Sequence, residues 1–88
     1  MANQVLKVRI VSPKETIFQG DVLSISSTNS KGPFDILPLH ANFITLIENK
    51  PIKISTADKK NISYTFPLAI VYARTDAVDI YTDIQISL

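Results

Sequence analysis

Cysteine and tryptophan are absent from this 88-residue sequence, which has only two glycines and one histidine. Without cysteine the chain has neither a disulfide framework nor a thiolate metal site, as suits a reducing compartment. Glycine occurs only at positions 20 and 32, so neither G-x-G-x-x-G nor G-x-x-x-x-G-K-[ST] can be present. These absences argue against a disulfide-stabilised domain and against a catalytic nucleotide site.

An excess of one charge and long apolar runs are also absent. Nine lysines and arginines face eight acidic residues, so the net charge of +1 gives no electrostatic reason to expect nucleic acid as a partner. No stretch reaches the roughly 18 uninterrupted apolar residues of a membrane span. The first residues also lack the basic and apolar segments of a secretory signal. We therefore expect no direct membrane insertion, and membrane association only through another protein.

The apolar residues, 45% of the chain, recur mainly with a period of two. Leu6, Val8 and Ile10 alternate with Lys7 and Arg9, which predicts a half-buried strand and not a helix. A turn is predicted at Gly20-Asp21. The run 68–73 predicts a strand covered on both faces. Further strands are predicted at residues 16–19, 22–25, 34–37, 41–47, 52–54, 64–66, 78–82 and 84–88, with an exposed loop at 28–33 and breaks at 49–51 and 58–61.

About eight to ten short strands in so short a chain, with frequent turns, indicate an all-β fold. We predict one domain, residues 1–88, built as an antiparallel β-sandwich or small barrel. Since glycine is scarce, asparagine and aspartate are expected to supply most of the left-handed turn positions. The candidates for those positions are residues 29, 49, 58, 61 and 76.

The single histidine is the first candidate for chemistry, because an imidazole exchanges protons near neutral pH. A catalytic or metal-binding His40 would need a nucleophile, a carboxylate or further ligands nearby. The sequence holds no second histidine, and Asp35 is the only acidic residue within seven positions. We interpret His40 as a structural or interface residue.

Two other groups of residues are candidates for a function. Asp76, Asp79 and Asp83 form the densest acidic cluster, but only the last two would share a face of a strand, so turn capping and solvent exposure explain them better than hydrolysis. The seven phenylalanines and tyrosines are not interleaved with basic residues, which favours core packing over base stacking. We expect no catalytic, cofactor-binding or metal-binding residue and no small-molecule substrate.

Residues 36–41, Ile-Leu-Pro-Leu-His-Ala, followed by Thr45, resemble the epsilon subunit of F-type ATP synthases. Residues 8–13, Val-Arg-Ile-Val-Ser-Pro, are similar to the opening strand of that family, and residues 17–22, Ile-Phe-Gln-Gly-Asp-Val, to its first turn. Residues 79–83, Asp-Ile-Tyr-Thr-Asp, resemble its last strand. No single segment is specific, but the ordered set covers nearly the whole chain.

The resemblance implies a β-sandwich at the foot of a rotor, held by the gamma subunit and resting on the c-ring. Such a subunit is non-catalytic and couples c-ring rotation to gamma during ATP synthesis driven by an ion gradient. It would lie peripherally on the cytoplasmic side of the inner cell membrane. By the pattern of the family, Ser12, His40 and Thr45 would face gamma. The loop of Ser30, Lys31, Gly32 and Pro33 would face the c-ring.

The sequence departs from that family at several positions. Pro33 replaces a usual acidic residue, Leu39 a glycine, and Leu68-Ala69 a pair of glycines. The resemblance also implies that a helical hairpin follows the sandwich, whereas this sequence stops at Leu88. The inhibitory and ATP-binding activities of that hairpin are therefore not expected of these residues.

Two other functions stay open on sequence grounds: a β-sandwich adaptor of another complex, derived from the same family, and a small enzyme or ligand-binding barrel. An enzyme would show a deep pocket with converging titratable groups. For a stalk subunit or an adaptor, part of residues 39–45 is expected to form an exposed apolar patch.

Overall fold

The computed structural model describes residues 4–38 and 42–83, and all the regular structure in these two ranges is β-strand. The all-β fold predicted from the alternating pattern is confirmed. No helix long and apolar enough to cross a membrane occurs within the described ranges. The strands are β1 (Leu6–Val11), β2 (Thr16–Asn29), β3 (Gly32–Ile36), β4 (Phe43–Ile47), β5 (Pro51–Thr56), β6 (Asn61–Thr65), β7 (Ala69–Ala73) and β8 (Ala77–Thr82).

The described strands form one curled sheet in the order β4-β7-β8-β1-β2-β5-β6, with β3 also paired to β2. The first half of β2 pairs with β1, and its second half lies between β3 and β5. The pairing of β2 with β5 shifts register between Val22 and Ser24. A register shift of this kind bends a strand. The 14-residue β2 thus belongs to both layers of the sandwich.

The pairings are antiparallel with one exception. β1 and β8 run parallel, and Val8 lies opposite Val78 and Ile10 opposite Ile80. The alternation of apolar residues predicts which side of a strand is buried but not the direction of its neighbour. The antiparallel sandwich is therefore confirmed with one parallel pair near the middle of the sheet.

The core lies between the two layers and is made of alternate residues of the strands. In β1, Leu6, Val8 and Ile10 are buried and Lys7 and Arg9 are exposed, as predicted. Complete burial of one such side chain contributes about 1.5–3 kcal/mol. The buried apolar residues are Leu6, Val8, Ile10, Val22, Ile25, Ile36, Ile47, Ile52, Ile54, Ala69, Val71, Ala73, Val78 and Ile80.

The turn predicted at Gly20-Asp21 is wrong. Gly20 pairs with Val8 and Asp21 with Lys7 in the middle of the β1–β2 ladder. A Cβ placed on Gly20 would lie 3.5 Å from Cζ of Phe18, so the aromatic ring covers the glycine backbone. An aromatic neighbour can stabilise a glycine within a strand in this way. The chain therefore continues as one strand where the sequence favoured two.

Candidate partner-binding surface

Strand β4 presents two large apolar side chains to solvent. Ile44 is 68% exposed and Leu46 51% exposed, whereas Ile47 is buried. Side chains alternate across a strand, so Phe43, Thr45 and Ile47 point to the opposite side, toward the core. The prediction of exposed apolar surface within residues 39–45 is confirmed at Ile44; residues 39–41 lie outside the described ranges.

The exposed apolar surface continues onto β7 and β8. The register places Ile44 beside Tyr72, Leu46 beside Ile70, and Ile70 beside Tyr81. Paired residues of neighbouring strands point to the same face of a sheet. Tyr72 is 38% and Tyr81 36% exposed, and Ile70 is half-buried. We call these five residues, Ile44, Leu46, Ile70, Tyr72 and Tyr81, the outer apolar patch.

The predicted burial of residues 68–73 on both faces is wrong. Ala69, Val71 and Ala73 are fully buried, but Tyr72 faces solvent. The apolar run looks like a strand covered on both sides because its solvent side carries a large apolar side chain where a polar one is usual. Within the described chain, that side of β7 belongs to the outer apolar patch.

An ionic cluster borders the patch. Asp79 lies next to Tyr72 in the register and is only 14% exposed at its side chain. Its Oδ2 accepts a hydrogen bond from Nη2 of Arg74 at 3.0 Å, and its Oδ1 lies 3.6 Å from Nε of Arg9. Arg74 also lies over the ring of Tyr72, with Cζ 5.6 Å from the ring centroid. The expectation of solvent exposure is therefore wrong for Asp79, which two arginines hold within the sheet.

The residues predicted to face gamma occupy different settings. The hydroxyl of Ser12 accepts hydrogen bonds from the backbone N–H groups of Lys14 (3.3 Å) and Glu15 (3.2 Å), so it shapes the turn after β1. Thr45 accepts a 3.0 Å hydrogen bond from the amide of Asn29 and lies on the side of β4 opposite the outer apolar patch. His40 lies outside the described residues. The gamma-facing role of these three residues stays a prediction.

The loop predicted to face the c-ring is a tight exposed turn between β2 and β3. Its backbone bends at Gly32, whose φ of 123° is disfavoured for residues with a Cβ. The N–H of Lys31 donates a 2.9 Å hydrogen bond to Oδ1 of Asn29. Since Asn29 also donates to Thr45, one side chain joins this turn to β4. The loop is shorter than predicted, because β2 extends to Asn29.

Among the described residues, no group of three or more His, Cys, Asp or Glu residues could hold a metal ion. A hydrogen bond from the hydroxyl of Thr56 lowers the pKa of Asp58, and the charge of Lys60 lowers it further, at the exposed turn between β5 and β6. That turn joins β5 and β6, which are at the other end of the strand order from the outer apolar patch. Apart from Ile44, the members of the patch could not be predicted from the sequence, because they come from three strands whose register no local pattern reveals.

Comparison with known proteins identifies related sequences. The family model described as "ATP synthase, Delta/Epsilon chain, beta-sandwich domain" matches residues 5–87. The ATP synthase epsilon chain of Nitratiruptor is 41% identical over 58 residues, 66% of this chain and 45% of the relative. The epsilon chain of Helicobacter pylori is 33% identical over 79 residues, 89% of this chain and 63% of the relative. The chain thus spans about half to two thirds of the length of these relatives.

Solved structures share the fold at low sequence identity. A chain in the structure of Euglena gracilis mitochondrial ATP synthase, described as OSCP, F1 and c-ring, superposes with a TM-score of 0.83 at 18% identity over 97% of this chain and 56% of that one. A chain in the central stalk and c-ring structure of Tetrahymena thermophila gives 0.72 at 17%, over 93% and 66% of the two chains. With the family match over residues 5–87, this chain belongs to the family of ATP synthase delta/epsilon chain β-sandwich domains.

Proposed function

We propose that this chain acts as a non-catalytic central-stalk subunit of a rotary F-type ATP synthase. It couples c-ring rotation to the gamma subunit during ATP synthesis driven by an ion gradient, while catalysis takes place on other chains. The observation that carries the proposal is the family match over residues 5–87. Such a subunit lies on the cytoplasmic side of the inner cell membrane and is held there through the complex.

The outer apolar patch is the surface that we assign to gamma. Exposed apolar patches bordered by polar residues mark partner-binding sites, and aromatic side chains are enriched at them. Here two tyrosines and three aliphatic side chains lie beside the ionic cluster of Asp79. In this arrangement Thr45 does not touch gamma directly. Its hydrogen bond with Asn29 stabilises the strand that presents Ile44 and Leu46.

The turn between β2 and β3 is the part that we assign to the c-ring. Ser30, Lys31 and Pro33 are exposed there, and Gly32 provides the bend. The turn is polar, as a contact with the polar loops of a membrane ring requires. Its bond to Thr45 through Asn29 joins it to the strand of the gamma contact, so that one rigid unit meets both partners.

Ile44→Asp tests the assignment of the patch. A carboxylate within an apolar interface must be desolvated, so binding to gamma should weaken at least tenfold, which corresponds to about 1.4 kcal/mol. The measurement is the affinity of the purified chain for gamma from the same organism. Because Ile44 is 68% exposed, the free chain should unfold at nearly the same temperature as the wild type.

Thr65→Asp, at an exposed position on β6, is the matched control and should bind gamma normally. Equal affinity of the Ile44 variant and the wild type would remove the patch from the gamma contact. If the wild-type chain is retained by neither gamma nor c-ring while other stalk contacts survive, the stalk role is wrong. An adaptor of another complex would then be the better function.

A further inference from the structure

The ionic cluster of Arg9, Arg74 and Asp79 lies on the same face of the sheet as the outer apolar patch. The strand register places Arg9 opposite Asp79, Asp79 opposite Tyr72, and Tyr72 opposite Ile44. Paired residues point to the same face, and neighbouring strands are about 4.8 Å apart. A stable interface uses about 20–30 residues on each side, so a partner bound over the five residues of the patch also covers part of its border.

The cluster holds two positive charges and one negative charge. Within the described ranges, Asp79 is the one acidic residue that forms an ion pair with either arginine. Arg74 donates a 3.0 Å hydrogen bond to Asp79, whereas the 3.6 Å between Nε of Arg9 and Oδ1 is too long for one. A guanidinium has five N–H donors, and the side chains of Arg9 and Arg74 are 48% and 45% exposed. Most of these donors therefore remain available to a partner.

Arg74 is held in place from two sides. Its Nη2 bonds Asp79, and its guanidinium lies over the ring of Tyr72, with Cζ 5.6 Å from the ring centroid. A guanidinium fixed in this way loses little conformational freedom when it binds a carboxylate. Since Tyr72 belongs to the outer apolar patch, the same contact joins the patch and the cluster into one surface.

An open concavity lies beside the cluster. Its charged lining residues are Lys7, Arg9, Asp21, Arg74 and Asp79. Three of these are positive and two are negative, so the lining has an excess of positive charge. Ala77 also lines the concavity, and its small side chain leaves space for a group from another chain.

We propose that the subunit that covers the outer apolar patch places a carboxylate, from an aspartate or a glutamate, against Arg9 and Arg74; this inference rests on the proposed function. A partner that covers the arginines removes water from their N–H groups, and charged donors left without an acceptor are costly. A carboxylate matches the planar fork of a guanidinium and balances the charge of the cluster. A neutral acceptor would leave a net positive charge in the interface.

The surroundings of the arginines favour a protein carboxylate over the phosphates of a polyanion. Apolar side chains lie on one side of the cluster, and a protein partner can cover these and pair with the arginines at the same time. The net charge of the whole chain is only +1, which gives little general attraction for a polyanion. The partner is therefore a protein surface that combines apolar side chains with an acidic residue.

Arg9→Gln tests the inference, because it removes one positive charge and leaves the pair of Arg74 and Asp79 in place. The affinity of the chain for purified gamma from the same organism should fall about tenfold at low salt. The remaining affinity should depend less on salt than that of the wild type, since a charge pair that salt screens has been lost. An exposed ion pair contributes little to folding, so urea unfolding of the variant should be nearly unchanged.

Lys53→Gln is the matched control. It removes the same charge from an exposed position on β5, in the other layer of the sandwich, and should bind gamma like the wild type. An equal loss of affinity in both variants would mean that only the overall charge of the chain acts, and the inference would be wrong.

A double-mutant cycle identifies the carboxylate. Each aspartate and glutamate of gamma is changed to its amide and measured against the wild-type chain and against Arg9→Gln. For one of them, the loss in the double variant should be smaller than the product of the two single losses by about fivefold or more.

The outcomes separate the inference from the proposed function. If gamma binds but none of its acidic residues couples to Arg9, the inference is wrong and the proposed function stands. The same follows if Arg9→Gln weakens self-association of the chain and not the binding of gamma, because a second copy then occupies the site. If gamma does not bind the wild-type chain, both are wrong.

Discussion

At the scale of single residues, hydroxyl and amide side chains organise the turns of this domain. Asn29 joins the β2–β3 turn to β4, and Ser12 shapes the turn after β1. Thr56 does the same between β5 and β6, where its hydroxyl donates to Asp58 and accepts from the N–H of Lys60 at 2.9 Å. A chain with two glycines therefore builds its turns largely through side-chain hydrogen bonds.

Asp58 provides a pH-dependent test at this scale. The hydrogen bond from Thr56 lowers the pKa of Asp58, so the folded state is favoured above the ordinary aspartate pKa of about 3.9. That contribution is lost as the pH falls from there through the lower pKa of the folded state. In Thr56→Val the pKa of Asp58 should rise toward its ordinary value, as NMR titration of the carboxyl group would measure.

Lys60→Gln is the control for this titration. Its exposed ammonium lies 3.7 Å from Oδ2 of Asp58, and its charge lowers the pKa less than the Thr56 hydrogen bond does. The pKa of Asp58 should therefore rise less in Lys60→Gln than in Thr56→Val. A larger rise in the lysine variant would mean that charge, and not the hydroxyl, controls this carboxylate.

At the scale of the elements, β2 shows the limit of local patterns. Glycine followed by aspartate is a common turn signal, yet here both residues pair within a ladder. The two glycines of the chain thus differ in conformation. Gly20 lies in extended backbone under the ring of Phe18, whereas Gly32 has a φ of 123° at the start of β3.

Replacing each glycine by alanine should change stability in opposite directions. Gly20→Ala places a methyl group at ordinary contact distance from Phe18 and should raise the free energy of unfolding by up to about 1 kcal/mol. Gly32→Ala forces a side chain into a disfavoured conformation and should lower that free energy by about 1–3 kcal/mol. Urea unfolding of the two variants checks the pair. Destabilisation by Gly20→Ala would mean that the added methyl group does not fit beside the ring of Phe18.

At the scale of the whole molecule, neighbouring residues of β8 contribute to different properties, one to the stability of the fold and the next to partner binding. Ile80 is fully buried, and the next residue, Tyr81, belongs to the outer apolar patch. Ile80→Ala should lower the free energy of unfolding by about 2–5 kcal/mol through lost burial and a cavity. Tyr81→Ala should lower the free energy of unfolding less than Ile80→Ala does, because the ring is 36% exposed, and should weaken binding to gamma. A large loss of stability in Tyr81→Ala would instead assign that ring to the core.

Much of this architecture could be predicted from the sequence, because a period of two in the apolar residues is a local property. The burial of Leu6, Val8 and Ile10 follows from it. The break at Asn49, whose φ is 54°, follows from another local signal, an asparagine shortly before a proline. The parallel pairing of β1 with β8 could not be predicted, since it joins segments about 70 residues apart. The outer apolar patch depends on the same long-range register, so only Ile44 was anticipated.

The course of β2 through both layers has a mechanical consequence. Its backbone pairs with β1 in one layer and then with β3 and β5 in the other, without a loop between them. A load that enters one layer and is resisted at the other is carried along a continuous covalent chain. The backbone hydrogen bonds between β2 and its neighbouring strands then bear the load at the same time, instead of breaking one after another. Stiffness under torsion is thereby concentrated in one strand.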